Sequence, residues 1–313
     1  MSLSYQSIPL DAINGTAAWN LHPWEGRVIP PELQESLALN GVLHPPFVIA
    51  DVAETFAVVS GARRIEFVRK SHGPAHIDCL VVAKETPHRA VLNLVLADQS
   101  CVSPLSLAEK ARFIEIAGQF LKMDDIATLY RTRLQLKNGR SAPADLLKIL
   151  QQDVEIIREI HAGRLQERMV TELLSLPEES DRLTLVQLFK DLGMGDGKQK
   201  KFFTLIRDIA FRKGSSITSL LQKEDIRAIL DHAELNIPQQ IHHLGNLLQQ
   251  EINPSSSLAE GVFTKQVKTL QLPKNYAVSH SPSFERDEVT LAITFKNFAE
   301  CQHYLGQSPQ PIP

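Results

Sequence analysis

A strand–glycine–helix junction near residue 60 constrains the fold of this 313-residue chain more than any other feature. A β-branched apolar run ends at Ser60-Gly61. Two adjacent arginines, Arg63 and Arg64, then open a helix with an apolar period. The N–H groups at the start of such a helix attract an anion, and arginine adds fork-shaped hydrogen bonds suited to phosphate. The pattern therefore predicts an anion site, with a tight turn before a solvated basic helix as the alternative.

The composition is typical of a folded protein rather than a disordered one, with 43% hydrophobic and 22% charged residues. A chain of this length can form two or three domains. No apolar stretch approaches the length of a membrane span, and the first residues lack a secretion-signal pattern, so we expect a cytoplasmic protein with no membrane partner. The three cysteines lie far apart without CxxC spacing, which fits a reducing compartment and argues against a disulfide framework.

The first hundred residues alternate strand and helix signals. β-branched runs predict strands over 47–49, 56–59 and 77–82, and helical periods predict short helices over 31–40 and 63–71. The first helix would end at Asn40-Gly41, a common C-terminal stop. Short strands that alternate with short helices predict a small α+β domain, which we assign to residues 1–104.

The pattern then becomes helical over residues 105–272. Ser106 and Glu109 match the S-x-x-E capping box that opens an amphipathic helix. Predicted helices over 124–130 and 141–150 flank a basic stretch, 131–140, which contains an Asn-Gly pair and is interpreted as a loop. These two helices are a candidate helix-turn-helix, with a connection longer than the usual turn of about three or four residues.

Two segments are rich in basic residues although the whole chain carries a formal net charge of −3. Between residues 126 and 150 the basic side chains oppose a single aspartate, and the same is true between 198 and 213. Such local islands suit contact with a polyanion such as DNA. Two solvated helix faces are the alternative. The predicted DNA phosphate contacts are Arg131, Arg133, Lys137, Arg140, Lys148, Lys198, Lys200 and Lys201.

The last segment, residues 273–313, changes character again. Residues 289–295 alternate apolar and polar side chains with period two, which predicts a half-buried strand. Asn297 and Glu300 resemble a capping box that opens a final helix. A strand and a helix are too small to be stable alone, so this segment must pack on the preceding helices or on a second copy of the chain. Both arrangements stay open.

Three segments of the first hundred residues carry a resemblance to a known family. Residues 8–10 resemble its opening strand, and residues 33–49 resemble its helix, glycine-to-proline loop and next strand. Residues 60–64, which read Ser-Gly-Ala-Arg-Arg, resemble the Gly-Glu-Arg-Arg box that binds nucleotide phosphates in ParB proteins. The family is the ParB/sulfiredoxin superfamily. The resemblance implies an α+β ParB/sulfiredoxin-like domain, an all-α middle with a helix-turn-helix, and a C-terminal strand–helix unit.

The resemblance also implies the residues of a nucleotide site. The family's Glu-Asn-x-x-Arg motif contacts a metal and a phosphate, and the matching positions are Asp98, Gln99 and Val102. Asp98 would contact the metal, whereas Val102 lacks the arginine of the motif and Ala62 replaces the glutamate of the arginine box. The implied nucleotide contacts are Gly41, His44, Pro45, Ser60, Gly61, Ala62, Arg63, Arg64 and Gln99. The implied ligand is CTP with Mg²⁺, and the departures leave open whether a weak CTPase activity exists.

The layout of the whole chain resembles a ParB-type partition protein. This implies a nucleotide-gated clamp on DNA that acts in chromosome or plasmid partition or in transcription regulation. It also implies a homodimer joined by residues 273–313, a partition ATPase as a protein partner, and a location on the nucleoid or a plasmid. Two alternatives stay open. One is a nucleotide-dependent kinase of free serine from the same superfamily, and the other is a structural adaptor whose basic faces are only solvated.

The sequence lacks the residues required for three other kinds of functional site. Sulfiredoxin chemistry needs a cysteine at the position of Ala62. A phosphate loop in the glycine-rich segment after residue 192 would need glycine at Leu192 and serine or threonine at Gln199. The histidines show no ligand spacing with cysteine or carboxylate, so the sequence predicts no zinc-type site.

Overall fold

The computed structural model describes residues 2–14, 18–25, 29–51, 54–71, 75–100, 104–136, 142–281 and 288–307. These residues form a mixed α and β protein with a small sheet and many helices. The chain divides into two compact units, Met1–Gln199 and Lys200–Pro313. The domain boundaries expected after residues 104 and 272 stay a prediction. Of the helices in the described ranges, none is both long enough and apolar enough to cross a membrane.

A five-stranded sheet opens the first unit. Its strands are β1 (Leu3–Pro9), β2 (Ile13–Asn14), β3 (Phe47–Ala50), β4 (Phe56–Ser60) and β5 (His76–Val82). The order is β1-β5-β3-β4-β2, in which β1–β5 and β3–β4 are antiparallel and β3–β5 and β2–β4 are parallel. The observed bounds of β3, β4 and β5 agree with the predicted strands to within one residue at each end, whereas β2 and most of β1 are additions.

The sheet has an apolar cluster on each face. Three helices belong to this part of the unit: α1 (Pro31–Asn40), α2 (Ala62–Lys70) and α3 (His88–Ser100). Since successive strand residues face opposite sides, Val58 packs with Ile65 of α2, while Val59 packs with residues of α3 and with Trp19. The strand that leads into the predicted anion site is therefore buried on both sides.

Six further α-helices among the described residues lie wholly within the first unit. They are α4 (Leu107–Gly118), α5 (Met123–Leu134), α6 (Ala142–Leu147), α7 (Val154–His161), α8 (Glu167–Leu174) and α9 (Glu179–Asp191). The predicted capping box opens α4. The Ser106 hydroxyl accepts the N–H of Glu109 at 3.2 Å, and the Glu109 carboxylate accepts the N–H of Ser106 at 2.7 Å. The box fixes the Glu109 side chain at the start of α4.

The loop predicted after residue 130 is wrong in its first part. Helix α5 continues through Arg131 and Arg133 to Leu134. The reason is an apolar stripe at four-residue spacing, in which Ile126, Tyr130 and Leu134 are all buried. The two arginines therefore belong to the last turn of a helix rather than to a loop.

The second helix of the candidate helix-turn-helix is also shorter than predicted. Helix α6 ends at Leu147, and a 3-10 turn, Lys148–Gln151, follows it. Helices α5 and α6 pack on each other and on α4. The connection between them, including Lys137 and Arg140, lies outside the described residues. The helix-turn-helix thus stays a prediction.

The boundary between the two units falls within α10 (Asp196–Lys213). The second unit continues with α11 (Ile217–Leu221), α12 (Glu224–Leu230), α13 (Ile237–Ile252) and α14 (Pro254–Thr269). An antiparallel pair, β6 (Tyr276–His280) and β7 (Val289–Ile293), then precedes α15 (Phe298–Gln307). Strand β7 and helix α15 lie where a strand and a helix are predicted, and Asn297 Oδ1 accepts the N–H of Glu300 at 2.9 Å. The predicted half-burial of this strand is wrong, because Val289 to Ala292 are all exposed.

Candidate functional site

The junction between β4 and α2 has the geometry of an anion site. Gly61 connects the two elements with φ of 87°, and a Cβ at this position would lie 2.7 Å from Pro46 Cβ. Glycine is required here for its conformation and for the close approach of the loop. Within the described part of the chain, no side chain caps α2 and no acidic residue lies in its first turn. Helix α2 therefore supplies no acidic side chain of its own to neutralise the positive end of its dipole.

The end of α3 brings polar side chains to this junction. Ser60 donates a hydrogen bond to Asp98 Oδ2, and Gln99 Nε2 donates to Ser60 Oγ at 3.3 Å. Ser60 is a buried polar residue, 6% exposed. Asp98 and Gln99, which are 38 and 39 residues away in sequence, thus meet the arginine box in space.

Arg64 joins the junction to the loop that precedes β3. Its Nη1 donates a hydrogen bond to the His44 carbonyl. Burial lowers the pKa of the Arg64 guanidinium, while the negative charge of Asp98 acts in the opposite direction. Gly41 and Pro45 lie in the same loop, where Gly41 ends α1 with φ of 68°. The Arg64 guanidinium and the Asp98 carboxylate therefore both lie near the uncapped start of α2.

Arg63, although adjacent in sequence, interacts with other charges. Burial lowers the pKa of the Arg63 guanidinium, while the negative charge of Glu109 acts in the opposite direction. Consecutive helical residues point about 100° apart, which separates the two guanidinium groups. The arginine pair is thus divided between the Ser60 junction and a second cluster at Glu109. The role of Arg63 and the other predicted contacts in nucleotide binding stays a prediction.

The second cluster consists of His22, Glu109 and His161. His22 Nε2 lies 2.6 Å from Glu109 Oε1, and His161 Nδ1 lies 3.8 Å from Glu109 Oε2 and 3.0 Å from the Ser106 hydroxyl. Trp24 packs against both histidine rings, with centroid distances of 6.1 Å to His22 and 5.5 Å to His161. The cluster joins the segment before α1 to the start of α4 and the end of α7.

Burial and charge act on this cluster together. Burial raises the pKa of Glu109, but the hydrogen bonds from His22 and Ser106 outweigh it, so the pKa is lowered overall. Burial lowers the pKa of His161, and the charge of Arg63 lowers it further against the influence of Glu109. The sequence gives no local signal for this cluster, because its members are 87 and 52 residues apart along the chain.

The predicted DNA contacts of the first basic island lie on α5 and after α6. Arg131 and Arg133 are in the last turn of α5, and Arg133 Nη1 donates to Asn93 Oδ1 at 3.0 Å. Lys148 is exposed in the 3-10 turn and pairs with Asp145 at 2.9 Å. These ion pairs and hydrogen bonds are weak at an exposed surface and leave the cations available to a polyanion.

The second basic island lies at the start of α10. Lys198, Lys200 and Lys201 are exposed, whereas Gln199 and Phe202 between and after them are buried. Among the residues that the structure describes, none forms an ion pair with these three lysines. Three lysines at a helix N-terminus add to the positive end of its dipole, and Asp196 in the first turn offsets part of this charge. This surface is therefore suited to phosphate groups.

No protein-family model matches this chain, and no curated protein matches it. Two solved structures of the C-terminally truncated chromosome-partitioning protein ParB from Caulobacter crescentus are similar to part of it. The structure complexed with CTP-γ-S is 16% identical with a TM-score of 0.26, and the match covers 59% of this chain and 98% of that chain. The structure complexed to the centromeric parS site is 16% identical with a TM-score of 0.34, and the match covers 64% and 98%. Both TM-scores are low, so neither similarity establishes a shared fold or function.

Proposed function

We propose that this protein is a ParB-like DNA-binding protein that binds CTP with Mg²⁺ at the junction of β4 and α2. The observation that carries the proposal is the uncapped start of α2, where the Arg64 guanidinium lies close to Gly61 and the Asp98 carboxylate accepts a hydrogen bond from Ser60. A nucleotide polyphosphate with its metal ion needs both a cationic and an anionic partner. The resemblance of residues 60–64 to the ParB phosphate box supports the same assignment.

The phosphate groups would bind on the arginine side of the junction. Gly61, which has no Cβ, allows Pro46 of the loop before β3 to pack closely against the start of α2. The N–H groups of the first turn of α2 and the Arg64 guanidinium would donate hydrogen bonds to phosphate oxygens. Because Arg64 also bonds the His44 carbonyl, a phosphate that recruits Arg64 would change how the loop before β3 is held.

The metal ion would bind on the α3 side. The Asp98 carboxylate and the Gln99 amide carbonyl offer the oxygen ligands that Mg²⁺ prefers. When bound, Mg²⁺ would neutralise part of the phosphate charge. Ser60, which is hydrogen-bonded to Asp98 and Gln99, would orient both side chains.

The helical region supplies the proposed DNA contacts. The exposed lysines of α10 and the arginines at the end of α5 would bind phosphates without reading base sequence. Homodimerisation through residues 273–313 and a partition ATPase partner belong to the same proposal. Whether the bound nucleotide is hydrolysed depends on residues beyond the described junction, including position 102.

The proposed binding of CTP is tested by calorimetric titration of CTP, ATP and GTP in the presence of Mg²⁺, with and without a mixed-sequence DNA duplex. We expect CTP to bind, and Arg64→Gln to weaken binding by roughly 10- to 100-fold, because a charge-assisted hydrogen bond contributes about 1.5–3 kcal/mol. Lys70→Gln is the matched control. Lys70 lies at the opposite end of the same helix from the junction and pairs with Glu66 at 3.4 Å on the surface.

The outcomes separate the alternatives. Binding of none of the three nucleotides would refute the nucleotide site. Binding of ATP alone, with transfer of phosphate to free serine and no affinity for DNA, would support the kinase instead. Equal reductions in the Arg64→Gln and Lys70→Gln variants would show that the effect is general destabilisation rather than removal of a phosphate ligand.

A further inference from the structure

The His22, Glu109 and His161 side chains present three potential metal ligands to one point. One nitrogen or oxygen from each residue lies within 4.8 Å of the other two. In the part of the chain that the structure describes, this is the one group of three such side chains that meets this distance. The cluster is partly buried, with side-chain exposures of 17% for His22, 11% for Glu109 and 23% for His161.

We infer that His22, Glu109 and His161 form a binding site for a divalent transition-metal ion of the zinc class. Two imidazole nitrogens and one carboxylate oxygen are a ligand set that zinc uses when its fourth position is left to water or another ligand. Imidazole favours zinc, nickel, copper and iron, whereas Mg²⁺ prefers oxygen ligands. The site is therefore distinct from the Mg²⁺ proposed at Asp98, and it does not depend on nucleotide binding.

The observed distances are close to those that a tetrahedral ion requires. Bonds of about 2.0–2.2 Å place neighbouring ligand atoms roughly 3.3–3.6 Å apart. The His22 Nε2–Glu109 Oε1 separation of 2.6 Å is shorter than this range, and the ligand atoms of all three residues lie within 4.8 Å of one another. Shifts of about 1 Å within the existing rotamers bring the atoms to the required spacing. The ion would replace the hydrogen bond between His22 and Glu109.

The surroundings hold the carboxylate in the orientation that a metal needs. The N–H of Ser106 donates to Glu109 Oε2 at 2.7 Å, which leaves Oε1, the atom that faces His22, as the metal-directed oxygen. Trp24 packs edge-on against both imidazole rings and forms an apolar wall behind them. Hydrogen bonds to ligating carboxylates and an apolar shell are regular features of protein metal sites.

Arg63 opposes a cation at this position, because its charge acts on both Glu109 and His161. The Glu109 carboxylate offsets this charge, and zinc bonding to two imidazoles does not depend on net charge alone. We therefore expect Arg63 to reduce the affinity without abolishing binding.

The test uses the full chain after chelator treatment and desalting. Zn²⁺ is titrated in competition with a chromogenic chelator, and Co²⁺ is added separately as a spectroscopic probe. We expect one Zn²⁺ per chain, unaffected by millimolar Mg²⁺. Co²⁺ should give visible ligand-field absorption that Zn²⁺ then removes. This wild-type measurement needs no variant and so does not depend on any variant folding.

Variants assign the ligands. His22→Ala and His161→Ala should each weaken Zn²⁺ binding at least tenfold, whereas His76→Ala, which removes an exposed histidine of β5 in the same unit, should leave it unchanged. Absence of stoichiometric Zn²⁺ binding and of the Co²⁺ absorption would overturn the inference. Tight binding that persists in both His22→Ala and His161→Ala would also overturn it, because the ion would then bind elsewhere.

Discussion

Gly61 sets the geometry of the candidate nucleotide site at the level of a single residue. Its φ of 87° belongs to the left-handed region, and the position of a Cβ is already occupied by the Pro46 ring at 2.7 Å. Both constraints come from tertiary structure, since the loop before β3 packs over the junction. The residue therefore links the local turn to the packing of the sheet.

We expect Gly61→Ala to lower the free energy of unfolding by about 1–3 kcal/mol, because it adds backbone strain and a steric overlap with Pro46. Urea denaturation followed by circular dichroism measures the change. Gly118→Ala is the control. Gly118 ends α4 without a positive φ, and a Cβ there would meet no described residue outside its own helix within 4 Å. A destabilisation no larger in Gly61→Ala than in Gly118→Ala would contradict the strained-junction interpretation.

At the residue scale, the sequence predicts one cluster and misses the other. Ser60 belongs to a strand–glycine–helix pattern that can be recognised locally, whereas Asp98 and Gln99 are expected there only through the resemblance to the ParB motif. His22 and His161 could not be found, since each is an isolated histidine and only the packing of the segment before α1 against α4 and α7 brings them to Glu109. Single residues that are distant in sequence and meet only in the folded chain leave no local pattern in the sequence.

At the element scale, burial decides where prediction succeeds. Strands β3 to β5 are recognised because β-branched residues fill both apolar clusters. Only the end of strand β1 is expected, from the resemblance of residues 8–10, because β1 is an edge strand whose side chains are exposed from Leu3 to Ser7. Helix α5 extends past its predicted end because Leu134 is buried among residues that are not adjacent in sequence. A helix end that is stabilised by tertiary packing is difficult to predict when the residues around it in sequence are polar.

The exposed lysines at the start of α10 allow a test of DNA binding at the level of one helix. We expect the triple change Lys198→Gln, Lys200→Gln and Lys201→Gln to weaken binding to a mixed-sequence duplex. The slope of log affinity against log salt should fall by about 0.9 for each phosphate that is no longer neutralised by a lysine. Filter binding or gel retardation at several salt concentrations measures both quantities.

The control for charge alone is the triple change Lys84→Gln, Lys265→Gln and Lys268→Gln, which removes the same charge from exposed lysines outside the basic islands. This control should change the slope much less. Equal effects of the two triple variants would mean that net charge, rather than the surface of α10, determines DNA affinity.

At the scale of the whole molecule, the C-terminal segment, residues 273–313, leaves several large apolar side chains exposed to solvent. Strands β6 and β7 form a sheet of two strands, which is marginally stable alone. Leu291 of β7 is 54% exposed, and Phe298 and Leu305 of α15 are 76% and 67% exposed. Apolar residues clustered on one short segment are typical of an interaction surface.

We expect the full chain to be a dimer at micromolar concentration and the double change Leu291→Asp and Leu305→Asp to make it a monomer. Burying two aspartates at an apolar interface would cost free energy because their carboxylates lose hydration, whereas the same aspartates stay hydrated in a monomer. Light scattering coupled to size exclusion measures the mass. Val262→Asp is the control, because Val262 is 56% exposed on α14, outside this segment. A monomeric wild-type chain would contradict the proposed dimerisation.

The position of the aromatic residues has a practical consequence. Both tryptophans of the chain, Trp19 and Trp24, lie in the first unit, and each is 6% exposed. Tryptophan fluorescence therefore reports on the first unit alone, because the second unit contains no tryptophan. Trp24 contacts both imidazole rings, so Zn²⁺ binding at the proposed histidine site should change the indole emission.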